Sequence, residues 1–188
     1  LALTAAMLSK RYEAELPTLV KANVPVNFLL PELIAADPDA RTIFLYATLS
    51  DYLLAILRND NHRQWLRFVT TQLSPYLGDV AGLSDAERCA ALWHAQMRAF
   101  SDALSRMPNA RALDAEHFFA APEPVLRAAA DRLDVPMTDS EAEAAVRGPL
   151  FSTDSKDPEK PFDNEARLAR RAELEGPLAA EIAEAETW

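Results

Sequence analysis

Arg41-Thr42-Ile43-Phe44-Leu45-Tyr46-Ala47 is the stretch on which the fold turns. Its centre is an unbroken apolar, β-rich run of the length of a strand buried in a sheet. Local signals frame it on both sides. Asp37-Pro38-Asp39 before it is a turn. Thr48 after it caps a helix, with Asp51 three residues on as its capping-box partner. Tyr52, Leu53, Ile56 and Leu57 give that helix its apolar face.

Upstream, Phe28 to Ile34 reads as an amphipathic helix, which tolerates Pro31 only in its first turn. Leu19-Val20-Lys21-Ala22 is a short β-prone run suited to a buried strand. Residues 1 to about 15 read as helix ending before Pro17. Leu1 is not an initiator methionine, and the apolar run Leu1 to Leu8 lacks the cationic region of a signal peptide. The expectation is a chain cut from a longer one, at a point inside a helix.

Downstream, helical spacing runs from Asn61 to about Leu77, carrying Trp65, Phe68, Val69 and Leu73. Gly78 and Gly82 flank a loop. Ser84 to Glu87 is a second capping box, opening a long helix through Leu92, Trp93, Met97, Phe100 and Leu104 to Met107. Arg111 to Asp114 is a weaker strand candidate, and Pro122-Glu123-Pro124 starts a helix to Leu133. Thr138 to Glu141 is a third box. The charged stretch from Asp154 to Asp163 reads as an exposed loop, and helical pieces at 163–175 and 177–187 end the chain. Strands alternating with helices predict parallel pairing through helical crossovers. The fold class expected is therefore α/β: an incomplete parallel sheet flanked by helices, helix-rich, over a single domain spanning 1–188.

Composition sets outer bounds. The 188 residues are 49% hydrophobic and 26% charged, which is globular rather than disordered. No apolar run reaches 18 residues, so no membrane span is expected. The net charge of −10 argues against a general nucleic-acid binder. One cysteine excludes an internal disulfide framework, and with no secretory signal a reducing cytoplasm is the expected compartment. His62, His94 and His117 share no metal-ligand spacing, so no metal is expected. The four glycines, Gly78, Gly82, Gly148 and Gly176, are too scattered to form a Gly-rich phosphate loop.

Three segments together resemble the sulfotransferase family. Leu19-Val20-Lys21-Ala22-Asn23, followed by Asn27-Phe28-Leu29-Leu30-Pro31-Glu32-Leu33, is similar to the family's strand ending in lysine and the helix after it. Asp37-Pro38-Asp39-Ala40-Arg41-Thr42-Ile43-Phe44-Leu45 resembles the turn and strand that precede the family's 3′-phosphate site. Arg111 to Phe119, with Pro122 to Arg127 and Leu133-Asp134-Val135-Pro136, resembles its "vlryEdLladPeavLraladfLgl" strand and helix. The likeness covers roughly 19–58 and 84–165. Ser155-Lys156-Asp157-Pro158-Glu159-Lys160-Pro161-Phe162-Asp163 looks most like a late "SKDPxxPFD" segment of a divergent bacterial subgroup.

The resemblance implies a P-loop-type sheet. It also implies transfer of a sulfuryl group from 3′-phosphoadenosine 5′-phosphosulfate, as co-substrate, to a hydroxyl of a small-molecule or glycan acceptor. Lys21 would be the catalytic lysine near the reacting group. Lys156, Ser155 and Ser50 would contact the donor, and Asn23 and Asn27 would orient the acceptor. The chain departs from the pattern in two places. It has no Gly-rich cradle, and the family's phosphate-binding arginine and serine fall on Ala47 and Ala55. A charge-assisted hydrogen bond contributes roughly 1.5–3 kcal/mol, so the absence of two would weaken donor binding by about 10²–10⁴-fold. This chain alone is therefore expected to be inactive. Two other classes compete: a non-catalytic relative that kept the scaffold, and a helical interaction module presenting the aromatics of 61–77 and 84–107. The ordinary reading of Trp65, Trp93, Phe68 and Phe100 is core, of Cys89 a packed thiol, of Asp114 and Glu116 turn capping, and of Glu173 to Glu186 a solvated helix face.

Overall fold

The computed structural model describes residues 7, 10, 17–154 and 157–188. The chain divides into two compact units. One comprises Leu1–Tyr46 and Phe100–Asn164, the other Ala47–Ala99 and Glu165–Trp188.

The first unit holds the sheet. A 3₁₀ segment, Val24–Leu29, leads into α1 (Leu30–Ala36), and Pro31 does stand in its first turn. β1 (Thr42–Tyr46) pairs in parallel with β2 (Ala110–Asp114), from Thr42 opposite Ala110 to Tyr46 opposite Asp114. The expected strand and its weaker companion are thus partners, in a helix-rich α/β arrangement. Phe44 is buried on β1 and stacks on Phe100 with ring centroids 4.7 Å apart. Ala103, Met107 and Ala110 are buried as well.

The chain enters the second unit after β1. There α2 (Leu49–Leu57) and α3 (Asp60–Gln72) are followed by the short turn α4 (Ser74–Leu77). Gly78 ends this turn at φ +83°, where a side chain would be strained. The long helix α5 (Asp85–Arg106) begins at the Ser84 box: Glu87 N–H donates to Ser84 Oγ, and Ser84 N–H to Glu87 Oε2. Leu53, Leu57, Leu66, Leu92 and Cys89 are essentially inaccessible. Burial pushes the Cys89 thiol from 9.0 up to about 12. At pH 8 it should carry about a thousandfold less thiolate than an ordinary cysteine. The folded chain should therefore resist a disulfide reagent that labels it at once in denaturant; rapid labelling of the native chain would contradict this.

Past β2 the first unit continues with α6 (Ala115–Ala120), α7 (Pro122–Leu133), α8 (Asp139–Arg147) and the turn α9 (Pro149–Ser152). α7 packs against β1. Thr138 and Glu141 complete the third capping box, which holds the Glu141 carboxyl below its usual range. α10 (Asn164–Thr187) closes the chain.

Four expectations need correction. Leu19 to Ala22 forms no strand, and Leu19 and Val20 are 59% and 57% exposed. Two prolines, Pro17 and Pro25, bracket too short a run, and β1 pairs only with β2 among the described residues. Described residues of the stretch expected as an exposed loop instead take part in a small antiparallel pair, β3 (Thr153–Asp154) with β4 (Asp157–Pro161). The two final helical pieces are one helix that runs through Pro177. Trp65 and Phe68 are not core: they are 37% and 65% exposed, while Leu66, Val69, Thr70 and Leu73 form the buried stripe. The expected helix over 1–15 lies almost wholly outside the described residues.

Candidate functional site

The helix that follows β1 begins where a phosphate would be sought, and its first turn is built from local chemistry. Thr48 is the N-cap of α2, and its Oγ1 accepts from Asp51 N–H at 3.2 Å. Thr48 Oγ1–H in turn donates to Asp51 Oδ2 at 2.7 Å. Asp51 therefore sits at the positive end of the helix, where a carboxylate is favoured. From α10, Arg171 brings Nη1 to within 2.7 Å of Asp51 Oδ1, and Arg171 Nε also donates to Glu175. The Asp51 side chain is only 11% exposed. The helix start is thus occupied by an anion of the chain's own, and the arginine near it is already neutralised.

Ser50 stands in the same first turn, half-buried, and its hydroxyl makes no hydrogen bond to another described residue. Ala47 and Ala55 bring no polar group; the Ala47 carbonyl accepts the Trp93 indole N–H at 2.9 Å. Trp93 is half-buried rather than fully packed.

The remaining site residues scatter. Lys21 is exposed on irregular backbone and not at a strand end, with no ion pair to a described residue. Asn23 precedes the 3₁₀ segment without capping it through its side chain, and its carbonyl accepts Val26 N–H. Asn27 is half-buried within that segment. Lys21, Asn23 and Asn27 share this short stretch of the first unit, whereas Ser50 belongs to the second. Ser155 and Lys156 lie outside the described residues.

At the C-terminal end of β2, Asp114 caps α6, accepting Glu116 N–H at 2.9 Å, as turn chemistry predicts. His117 and His94 are exposed, and His62 Nδ1 lies 2.8 Å from Asn59 Oδ1 at the start of α3. Among the described residues no cluster of His, Cys, Asp and Glu could hold a metal ion. A cleft of about 530 Å³ lies along α7, lined by Arg127, Asp131, Asp134, Val135 and Met137 among others, and includes none of the expected site residues.

Two charged groupings escaped sequence reasoning. Arg171 lies in the acidic terminal helix, where only its charge was legible. Glu181, expected on a solvated face, accepts both Arg63 Nη1 at 2.7 Å and Arg63 Nη2 at 2.9 Å. Arg63 and Arg67 also converge on Asp85, whose carboxyl is held below its usual range chiefly by the Arg67 hydrogen bonds. Neither pairing has a sequence signal, because the partners are joined only by folding.

No helix among the described residues is long and apolar enough to cross a membrane. No protein-family model, no curated protein and no solved structure matches this chain.

Proposed function

We propose that the chain carries the strand-and-helix scaffold of a sulfotransferase-like protein of P-loop type. In this reading the protein moves a sulfuryl group from 3′-phosphoadenosine 5′-phosphosulfate to a hydroxyl acceptor, and the cradle for the reacting anion comes from outside these 188 residues. The observation that carries the reading is the parallel register of β1 and β2, with β2 running directly into α6 and α7 and α7 packed on β1. That order is the one the resemblance implies for its second and third segments; the first, at Leu19 to Ala22, forms no strand. A parallel sheet of two strands is small, and each strand has an unpaired edge among the described residues. A further strand bearing a Gly-rich turn would extend it and place backbone N–H groups against an anion.

A second reading is a non-catalytic relative. It is favoured by Ala47 and Ala55, and by the Asp51–Arg171 pair that fills the start of α2. Calorimetric titration of 3′-phosphoadenosine 5′-phosphate into the whole reading frame containing these residues separates the two. Saturable heat is the expected result. Silence at millimolar ligand would remove the enzyme and leave the scaffold.

A further inference from the structure

Many arginines of this acidic chain lie against carboxylates: Arg41, Arg63, Arg67, Arg127, Arg147 and Arg171 all do. Arg111 and Arg132 have no such partner among the described residues. Both donate instead to a single main-chain oxygen. Arg111 Nη1 lies 3.1 Å from the Pro108 carbonyl and Arg132 Nη2 lies 3.0 Å from it. Arg111 Nη1 also donates to the Ala110 carbonyl at 2.6 Å, and Arg132 Nε is a buried donor with no acceptor.

Two donors on one acceptor bring the terminal nitrogens to within roughly 6 Å of each other. Two full positive charges that close repel, and a carbonyl supplies only a partial charge between them. The fold fixes both positions: Arg111 is on β2 opposite Ile43, and Arg132 is in the last turn of α7. Arg41 stands just before β1, its partner Asp134 at 3.5 Å and both side chains largely exposed. Asp134 and Asp131 are the nearest carboxylates in sequence to Arg132, and neither forms an ion pair with Arg132 or Arg111.

We infer that Arg111 and Arg132 are the two arms of a binding site for a tetrahedral phosphate group at the N-terminal end of the β1–β2 sheet. Arg111 Nη1 gives both its hydrogens to the Pro108 and Ala110 carbonyls, so a phosphate would take the remaining donors of the two forks, Arg111 Nη2 and Nε and Arg132 Nη1, through charged N–H···O bonds of about 2.7–2.9 Å. The site lies at the opposite end of the strands from the edge where parallel sheets bind their nucleotides. It does not depend on the function proposed above. Free phosphate and a phosphate monoester share the chemistry.

The test is arginine Nε–Hε NMR on the whole 188-residue chain. Inorganic phosphate, glycerol 3-phosphate and acetate are titrated separately, with chloride keeping ionic strength constant. Expected are saturable shifts at Arg111 and Arg132 with either phosphate, about tenfold or more tighter than with acetate. The better of the two phosphates identifies the source. R111Q and R132Q should each weaken binding by about tenfold or more, and R147Q, at an exposed pair, should not. The inference is overturned if the unaltered chain gives no saturable shift, if acetate matches phosphate, or if folded R111Q and R132Q bind undiminished. The two guanidinium groups would then be only a clamp on the Pro108 carbonyl. Since the first measurement uses the unaltered chain, a variant that fails to fold does not protect the inference.

Discussion

Phe44→Ala should destabilise the sheet-bearing unit by about 3–5 kcal/mol, the range for removing a buried aromatic ring. Phe44 is only 5% exposed, and its ring stacks on Phe100 at an interplanar angle of 18°. Truncation removes that stacking and leaves a cavity that the backbone of a two-stranded sheet can close only partly. The ring also ties β1 to Phe100, which precedes β2 by ten residues. Denaturant unfolding gives the magnitude, and amide exchange at Thr42 to Tyr46 gives the location. A destabilisation below about 1 kcal/mol, or protection of those amides unchanged, would show that Phe44 does not anchor the sheet.

Arg63→Met should cost about 2–3 kcal/mol, less than its hydrogen bonds would sum to if fully buried. The side chain is 20% exposed and bonds twice to Glu181, once to Asp85, and from Nε to the Leu57 carbonyl at 3.0 Å. Hydrogen bonds to charged partners contribute about 1.5–3 kcal/mol each when buried, and partial exposure here reduces the sum. The cost exceeds that of a surface pair because Asp85, 11% exposed, and Glu181 are left facing each other with less compensation. The same network sets an acid limit. The folded Asp85 carboxyl lies below its ordinary value of 3.8, so its contribution is complete above that value. It is lost as pH falls through the depressed folded value. Asp85→Asn should be less stable than the parent chain at neutral pH and should lose less on acidification. An identical acid profile in the two chains would remove Asp85 from the account.

How legible each feature was follows from the range of the interaction behind it. The boxes at Thr48, Ser84 and Thr138 join residues three apart, so their partners could be read from the chain, and each formed the expected backbone bond. The α3 stripe failed for a related reason. Trp65 and Phe68 fall within the same helical pattern of three- and four-residue steps as Val69 and Leu73, and nothing in a period of 3.6 says which side meets the core. Gly176-Pro177 is a local stop signal, costing about 3 kcal/mol or more for the proline in a helix interior. Burial of Leu178 and Ala185 beyond it, with the Arg63–Glu181 bonds, outweighs that cost. Of the expected site, Ser50 could be placed from its helix start. Asp51 was legible there as the partner of the Thr48 cap, but its pairing with Arg171 was not, since 120 residues separate the two.

The sequence by itself determined the strand at Phe44, the helix starts at Thr48, Ser84 and Thr138, the buried thiol at Cys89 and the lack of a Gly-rich loop. Each depends on residue type or on neighbours within one turn. The tertiary structure alone decided that β1 meets β2, that Leu19 to Ala22 has no sheet to join, and that Arg171 and Glu181 face Asp51 and Arg63. It alone brought Arg111 and Arg132 onto one carbonyl. Those outcomes depend on which distant segments share a surface, and burial and charge settle that only when the whole chain folds.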